Sequence, residues 1–391
     1  MRLLSFLFCT FFLFPAASAQ DTLAPASTRY THPNLLKRIF LGGNYRKTWA
    51  TPVRVPLFYI QNTHGGYTIK KLGGGQQTKS LRVKDTGGQT MVIRTVDKTV
   101  EKALESQNIK SGFIKNITQD MISAAHPYGA LAVLPIARAV GIPSAEPVLY
   151  YVPDDPGMDS FRSVFANQMV LLEKRKPLLR PTDKMRKTEE LLVDLQQKKP
   201  LKIDLPMLLQ ARLLDMLIGD WDRHGGQWKW GYRQDGDSTY VYPIPVDHDQ
   251  AFFHSSGILV SLVRPFTMKH LVGFKDNMGR IKKLNRKEWD FDKAFIGQLS
   301  CRQWEDGIRR FQKKVSDQVL RDAVGELPAE VQAIHGEELF RKLQGRRNTL
   351  LCDGMRYYRF LEKRPLAQLA QKAEDAREEP VTKEGEDEDA E

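Results

Sequence analysis

Two short stretches place carboxylates where chemistry could use them. Gly219-Asp-Trp-Asp-Arg-His-Gly-Gly-Gln-Trp-Lys-Trp230 sets Asp220, Asp222, Arg223, His224 and Gln227 among three tryptophans, directly behind an apolar run that ends at Ile218. Downstream, the apolar strand signal from Tyr240 to Val246 stops in Asp247, His248 and Asp249. Acids this close repel unless a cation, a donor or a proton intervenes, so each pair implies a ligand or a basic partner. A strand that ends in two carboxylates is a candidate divalent-cation site.

A glycine-rich link lies upstream, in Leu72-Gly-Gly-Gly-Gln-Gln-Thr-Lys-Ser-Leu81. Gly73, Gly74 and Gly75 allow the main chain to approach an anion closely, and Thr78, Lys79 and Ser80 add donors. A phosphate cradle and a plain hairpin turn both account for it. It is not a P-loop, because a strand follows rather than a helix. The next strand signal runs into Arg94 and Lys98, and either cation could reach back toward bound phosphates. Asp120, on the helical segment beyond, is expected to pair with such a cation across a cleft.

The elements that must hold these residues change character along the chain. Short runs rich in β-branched and aromatic residues (52–60, 67–72, 80–85, 90–96), with a further pair at 147–153 and 165–174, are punctuated by glycine turns and read as strands. Helical periodicity begins near Thr118. After a basic, proline-punctuated stretch (174–202) it dominates to about residue 363. Strands first and helices after imply an α+β, bilobed architecture, a strand-rich N-lobe and a helical C-lobe.

Met1-Arg2, an apolar run and Ala17-Ser-Ala19 form a secretory signal peptide with cleavage expected before Gln20, because the run is too short to span a bilayer. Cys9 lies within it, which leaves Cys301 and Cys352 for one disulfide or none. The residues from Glu374 onward include ten acidic and two basic ones and no aromatic, a composition that cannot form a core. Since the whole chain carries a formal charge of +12, the body between these ends is strongly basic. That favours anionic partners, phosphorylated ligands or an acidic envelope or membrane surface, and no nucleic-acid-binding motif is present. The expected organisation is a signal peptide (1–19), an N-terminal extension (20–45), an N-lobe (46–173), a C-lobe (174–365) and an acidic tail (366–391).

Asp222, an amide five positions on at Gln227, Asp247 at a strand end, an upstream glycine link and a strand-end cation stand in the order kinases use. Leu217-Ile-Gly-Asp-Trp-Asp-Arg-His-Gly-Gly-Gln-Trp228 resembles the I-G-x-x-D-R-H-x-x-N loop of the atypical protein-kinase-like superfamily: HipA-like kinases, phosphatidylinositol kinases and the secreted Golgi casein kinases. Val246-Asp-His-Asp-Gln-Ala-Phe252 resembles their second-aspartate motif. The glycine link and Val170-Leu-Leu-Glu-Lys-Arg175 are similar to the HipA-like glycine loop and hinge. The link, Ile122–Leu131, Tyr151–Asp155 and the 217–230 stretch together look like a kinase-like segment of exported bacterial proteins. The likeness spans about residues 40 to 300.

The resemblance implies ATP bound with Mg²⁺ or Mn²⁺. It makes Asp222 the catalytic base, Gln227 and Asp247 metal ligands with Asp249 a second one, and Arg94 or Lys98 the phosphate grip. His224 would orient the loop, and Leu171, Leu172 and Glu173 would meet adenine through their backbone. Two positions depart from the pattern: glutamine stands for the usual asparagine at 227, and arginine for lysine at 94. The expected activity is phosphoryl transfer to a protein, lipid or glycan acceptor, in a periplasm or outer envelope if the cell is bacterial and in a secretory lumen if it is eukaryotic. A pseudokinase or nucleotide-binding envelope scaffold is the alternative. A metal-dependent phosphoester hydrolase using Asp220, Asp222, His224, Asp247, Asp249 and His254 explains the acids but not the glycine link.

Overall fold

The computed structural model describes residues 21–30, 39–74, 78–100, 112–257 and 272–366. The expected signal peptide, Gly75 and nearly all of the acidic tail lie outside them. The fold is α+β as expected, with sheet in the first half and mostly helix in the last third.

A two-stranded ribbon of β1 (Asp21–Ala24) and β2 (Val53–Pro56) precedes a five-stranded antiparallel sheet. Its strands are β3 (Tyr67–Gly74), β4 (Lys79–Asp85), β5 (Thr90–Thr95), β6 (Val148–Val152) and β7 (Gln168–Lys174), in the order β3-β4-β5-β7-β6. Alternation decides what each face does. Leu81, Val83, Ile93, Val170 and Leu172 bury into a core with Phe58 and Phe165. One residue out of phase, Arg94 and Leu171 are register partners and turn to the opposite face, where Leu171 joins the main core. The alternation of β5 therefore aims the Arg94 guanidinium away from the sheet's own core.

Numbering the helices of nine residues or more, α1 (Gly112–Met121) and α2 (Gly129–Val140) connect β5 to β6. The helical periodicity that begins near Thr118 is interrupted at Ala125–Tyr128, where the Tyr128 amide donates to the His126 ring at 3.1 Å. The basic stretch after β7 holds more order than its composition implies. It contains β8 (Lys184–Lys187), α3 (Thr188–Gln196) and β9 (Leu201–Ile203), which with β10 (Trp228–Asp235) and β11 (Ser238–Pro245) form a second sheet, β8-β10-β11-β9. The C-lobe is thus not purely helical, and Trp228 and Trp230 are fully buried strand residues.

Between those strands runs α4 (Leu205–Ile218), capped by the Asp204 side chain on the Met207 amide, with Pro206 in its first turn. Every residue from Leu208 to Ile218 is buried, so α4 is the axis of the C-lobe. It ends at Gly219 with φ +74°, a left-handed cap that suits glycine. The chain then leaves the helix axis abruptly, and the acidic loop begins. The helical periodicity beyond it resolves into α5 (Cys301–Lys314) and α6 (Asp317–Gly325), separated where Ser316 caps the second. α7 (Ala329–Glu362) closes the lobe, its Arg346 donating to the Met216 and Leu217 carbonyls at the end of α4 (2.7 Å to Leu217).

Candidate active site

The loop after Gly219 is held from beneath by Arg223. Its guanidinium is buried and pairs with Asp215 of α4 (2.9 and 3.0 Å), with Asp220 at 3.5 Å. It also donates to the carbonyls of Gln227 (3.1 Å) and Val246 (2.6 Å) and meets His248 Nδ1 at 2.9 Å. Burial works against the charge of Arg223, yet the facing Asp215 and Asp220 raise its pKa, and Arg223 and Arg212 in turn lower that of Asp215 against its own burial. One side chain thus ties together α4, the acidic loop and the end of β11.

This arrangement sets Gln227 beside Asp247. The amide of Val246 bonds the Gln227 carbonyl at 3.0 Å, continuing the β10–β11 ladder from the Trp228–Pro245 pair to the residue just before Asp247. The Gln227 Oε1 is buried without a hydrogen-bond partner. Asp247 sits at φ +62°, a left-handed conformation that persists in a non-glycine residue only where its surroundings impose it. Burial first, then the neighbouring Asp249 charge, raises the pKa of Asp247 in spite of Arg94. A buried amide oxygen without a partner, on a residue whose main chain pairs with the one before Asp247, and an acid whose charge is under-compensated are donors of the kind a hard divalent cation takes.

Asp249 behaves differently. It takes Arg94 Nη2 at 2.5 Å and Lys98 Nζ at 2.7 Å, while Arg94 also faces Glu173 at 3.4 Å and Asp247 at 3.8 Å. Burial opposes its ionisation, but the two cations hold its carboxyl well below the usual range. Glu173, pushed up by burial and only partly relieved by Arg94, comes to about 7. The sequence left open which of Arg94 and Lys98 faces the cleft; both converge on one acid. Asp249 is therefore an ion-pair partner in this structure rather than a free metal ligand.

The glycine link closes a hairpin next to these cations. Gly73 pairs with Ser80 and Gly74 with Lys79, and Ser80 is in register with Arg94. Gly74 has φ +131°, and a Cβ there would lie 2.4 Å from the Thr78 carbonyl, so the tight turn requires glycine. Thr78 and Lys79 enter β4 at this tip, the Lys79 amide bonding Thr95 Oγ1 at 3.3 Å.

Asp222 lies on the loop with its amide bonded to Asp220 Oδ1 (3.0 Å). Its carboxylate pairs closely with Lys287, whose ammonium also stands 5.3 Å above the Trp221 ring. Lys287 was not anticipated. It comes from a turn beyond the 258–271 segment, and no spacing in the sequence links it to Asp222. His224 is exposed and its Nδ1 accepts from the Gly226 amide (3.2 Å).

Three expectations need correction. Asp120 pairs not with Arg94 or Lys98 but with Arg46, in a buried bidentate contact (2.9 Å for one arm). Leu171 and Leu172 are interior to β7 and in register with both β5 and β6, so their backbone groups are taken up by sheet pairing and present no free edge to a base. Glu173 is in register with β5, and its side chain faces Arg94. Of the six residues weighed as a hydrolase metal centre, no three bring ligand atoms within 4.8 Å of one another. Among the described residues Asp215, Asp220 and His248 do cluster within 4.8 Å, but the Arg223 guanidinium occupies the space between them.

No family model and no curated protein matches the chain. Solved structures similar to it include two kinase-related proteins. The proinflammatory kinase CtkA of Helicobacter pylori matches with 12% identity over 72% of this chain and 94% of its own, at a TM-score of 0.39. HipA of Shewanella oneidensis MR-1, from a toxin–antitoxin complex with HipB and operator DNA, matches with 11% identity over 75% of this chain and 67% of its own, at a TM-score of 0.36.

Proposed function

We propose that the chain is a kinase-like phosphotransferase that takes ATP with Mg²⁺, or Mn²⁺, in the cleft between the five-stranded sheet and the β10–β11 hairpin. The observation that supports this most is the junction of Asp249 with Arg94 and Lys98, because Arg94, in register with Ser80 of the glycine hairpin, also comes within 3.8 Å of Asp247. Asp222 is the base in this reading, accepting the proton of an acceptor hydroxyl as the oxygen attacks the terminal phosphorus and ADP leaves. Gln227 and Asp247 would hold the metal, which when bound supplies charge neutralisation on the phosphate oxygens. Arg94 and Lys98 shift from Asp249 toward those oxygens, and Lys287 must release Asp222 before the carboxylate can accept a proton. The acceptor is a protein, lipid or glycan hydroxyl, and the basic body suits an anionic one or an acidic envelope surface. Export through residues 1–19 is part of the same proposal.

Thermal-shift measurements with ATP–Mg²⁺, ADP–Mg²⁺ and Mg²⁺ alone, followed by transfer of labelled terminal phosphate to water or a mixed acceptor pool, test the reading. A nucleotide concentration one hundred times Kd stabilises the chain by about 2.7 kcal/mol. A melting point that no nucleotide moves would refute nucleotide binding. A nucleotide shift without transfer would establish the pseudokinase.

A further inference from the structure

Between Arg280 and Lys287 the chain carries five cations and no acid in eight residues. Ile281 and Leu284 of the short helix Ile281–Leu284 turn inward, which leaves Arg280, Lys282, Lys283, Arg286 and Lys287 exposed around it. Two half-buried aromatic rings gather several cations into one face. Trp289 donates through its ring nitrogen to the Lys282 carbonyl at 2.8 Å, and its ring carries Arg286 at 5.6 Å and Arg364 at 4.9 Å. The Phe360 ring, 5.0 Å from that of Trp289, carries Lys282 at 5.2 Å and Arg364 at 5.5 Å. A guanidinium stacked on a ring keeps its N–H groups in its own plane, where a carboxylate can take two of them. Lys293 borders the same face and donates to the Glu362 carbonyl at 3.2 Å.

Among the described residues, Arg280, Lys282, Lys283 and Arg286 form no ion pair, while Arg364 pairs with Asp290 at 2.8 Å and Lys287 with Asp222. The other basic stretch, 174–202, is better matched: Lys174 meets Glu146 at 2.9 Å, Arg186 and Lys199 share Asp194, and Lys202 faces Asp235 at 3.8 Å. The chain also leaves α7 at the under-matched face. α7 ends at Glu362, Arg364 lies on Trp289, and Leu366 is exposed. Glu374, the first of the ten acids that follow, comes eight positions after Leu366, a separation that main-chain geometry limits to about 28 Å.

We infer that the acidic segment 374–391 docks in cis on the aromatic-backed basic face made by residues 280–287, Lys293 and Arg364. Complementary charge and the point of attachment carry the choice of occupant. A tether this short supplies an effective concentration on the order of millimolar, so contacts that are individually weak in water suffice when several form together. Lys287 links the face to Asp222, so the docked segment stands at the rim of the acidic loop, and an anionic molecule approaching that loop has to displace it. The docking itself does not depend on phosphoryl transfer.

The test treats the full-length chain with a water-soluble carbodiimide, which joins carboxylates to the lysines they touch, and reads the joined peptides by mass spectrometry. Links from acids of 374–391 to Lys282 and Lys283 are expected, and within single chains when isotope-labelled and unlabelled protein are mixed. They should fall at least about fivefold between about 0.05 and about 0.5 M salt, as screening shortens the reach of each charge. Arg280→Gln combined with Arg286→Gln leaves every lysine in place and should lower these links at least about twofold, whereas tethering alone would leave them unchanged. Links only between differently labelled chains would make the occupant a second copy and overturn docking in cis. Links no more frequent than those to Lys184 and Lys198, or indifferent to the double substitution, would overturn it as well. So would their absence, which would leave the face to an external anion.

Discussion

Arg94, the next-to-last residue of β5, reaches Asp249 beyond the end of β11 with a 2.5 Å charge-assisted hydrogen bond across 155 positions of chain. Lys98 closes on the other oxygen of the same carboxylate at 2.7 Å. The strand-rich and helical halves are joined by this contact at the point where the proposed phosphates would lie.

Asp249→Asn should therefore cost stability as well as function. It removes the acid that Arg94 and Lys98 share, leaving Arg94 only the more distant Glu173 and Asp247, and breaking a buried pair typically costs up to about 3–5 kcal/mol. Urea unfolding measures it. The sign with pH follows from the depressed carboxyl: the stabilisation is complete above the unfolded value of about 3.9 and is lost as pH falls through and below it. The variant should show a flatter acid limb than the wild type. Equal stability and equal acid limbs would mean that the junction contributes nothing net.

Asp222 and Asp247 are assigned different work, and their variants should separate. Asp222→Asn is expected to abolish phosphoryl transfer while nucleotide affinity stays within a few-fold, since a base acts in the chemical step. Asp247→Ala should instead remove the Mg²⁺-dependent part of the ATP-induced thermal shift. An Asp247→Ala chain that melts lower without ligand yet keeps its full ATP response would assign that acid a structural role.

Lys287 should matter for transfer more than for folding. Its pair with Asp222 is about one-third exposed on the lysine side, and such pairs contribute only about 0–1 kcal/mol. Lys287→Ala is thus expected to leave the apo melting point nearly unchanged; if the ammonium, once it releases Asp222, moves to the terminal phosphate, the variant also lowers transfer at least about tenfold and weakens ATP more than ADP. Lys287→Arg should recover part of the loss. Equal weakening of ATP and ADP in Lys287→Ala would show that the residue does not address that phosphate.

A second pH effect comes from the junction of Tyr45, His126 and the start of α7. His126 Nε2 and His335 Nε2 are 2.9 Å apart, and His126 Nδ1 accepts from the Tyr128 amide, so His126 must donate through Nε2 to a neutral His335. Burial lowers both pKa values, for His126 well below the ordinary value, with the facing His335 adding to it. The groups facing His335 include Glu338, which raises its pKa, and Lys342, which lowers it. In the unfolded chain both rings protonate near pH 6.5, so stability is complete above that value and declines as pH falls below it. His126→Gln combined with His335→Gln should remove this decline between about pH 6.5 and 5, read as urea midpoints at each pH. A decline of the same size in the double variant would place its cause elsewhere.

The amino-acid sequence determined the local parts. Gly219 as helix stop, the five-residue step from Asp222 to Gln227, the β11 strand running into Asp247 and the glycine hairpin at Gly73–Gly74 all depend on contacts a few positions apart. Backbone periodicity and cap chemistry encode these directly. Partner choice was decided by the tertiary structure. The alternation of β5 fixes that Arg94 leaves the sheet's core face, but not that it meets Asp249 rather than Asp120. Asp120 is claimed by Arg46, and Asp222 by Lys287. The Asp215–Asp220–His248 cluster would read as a metal centre if the Arg223 guanidinium were not packed into it. In a chain this basic, every acid has several cations it could meet. Which one it does meet depends on how strands and helices far apart in sequence stack, because ion pairing is strong only where packing has already excluded water.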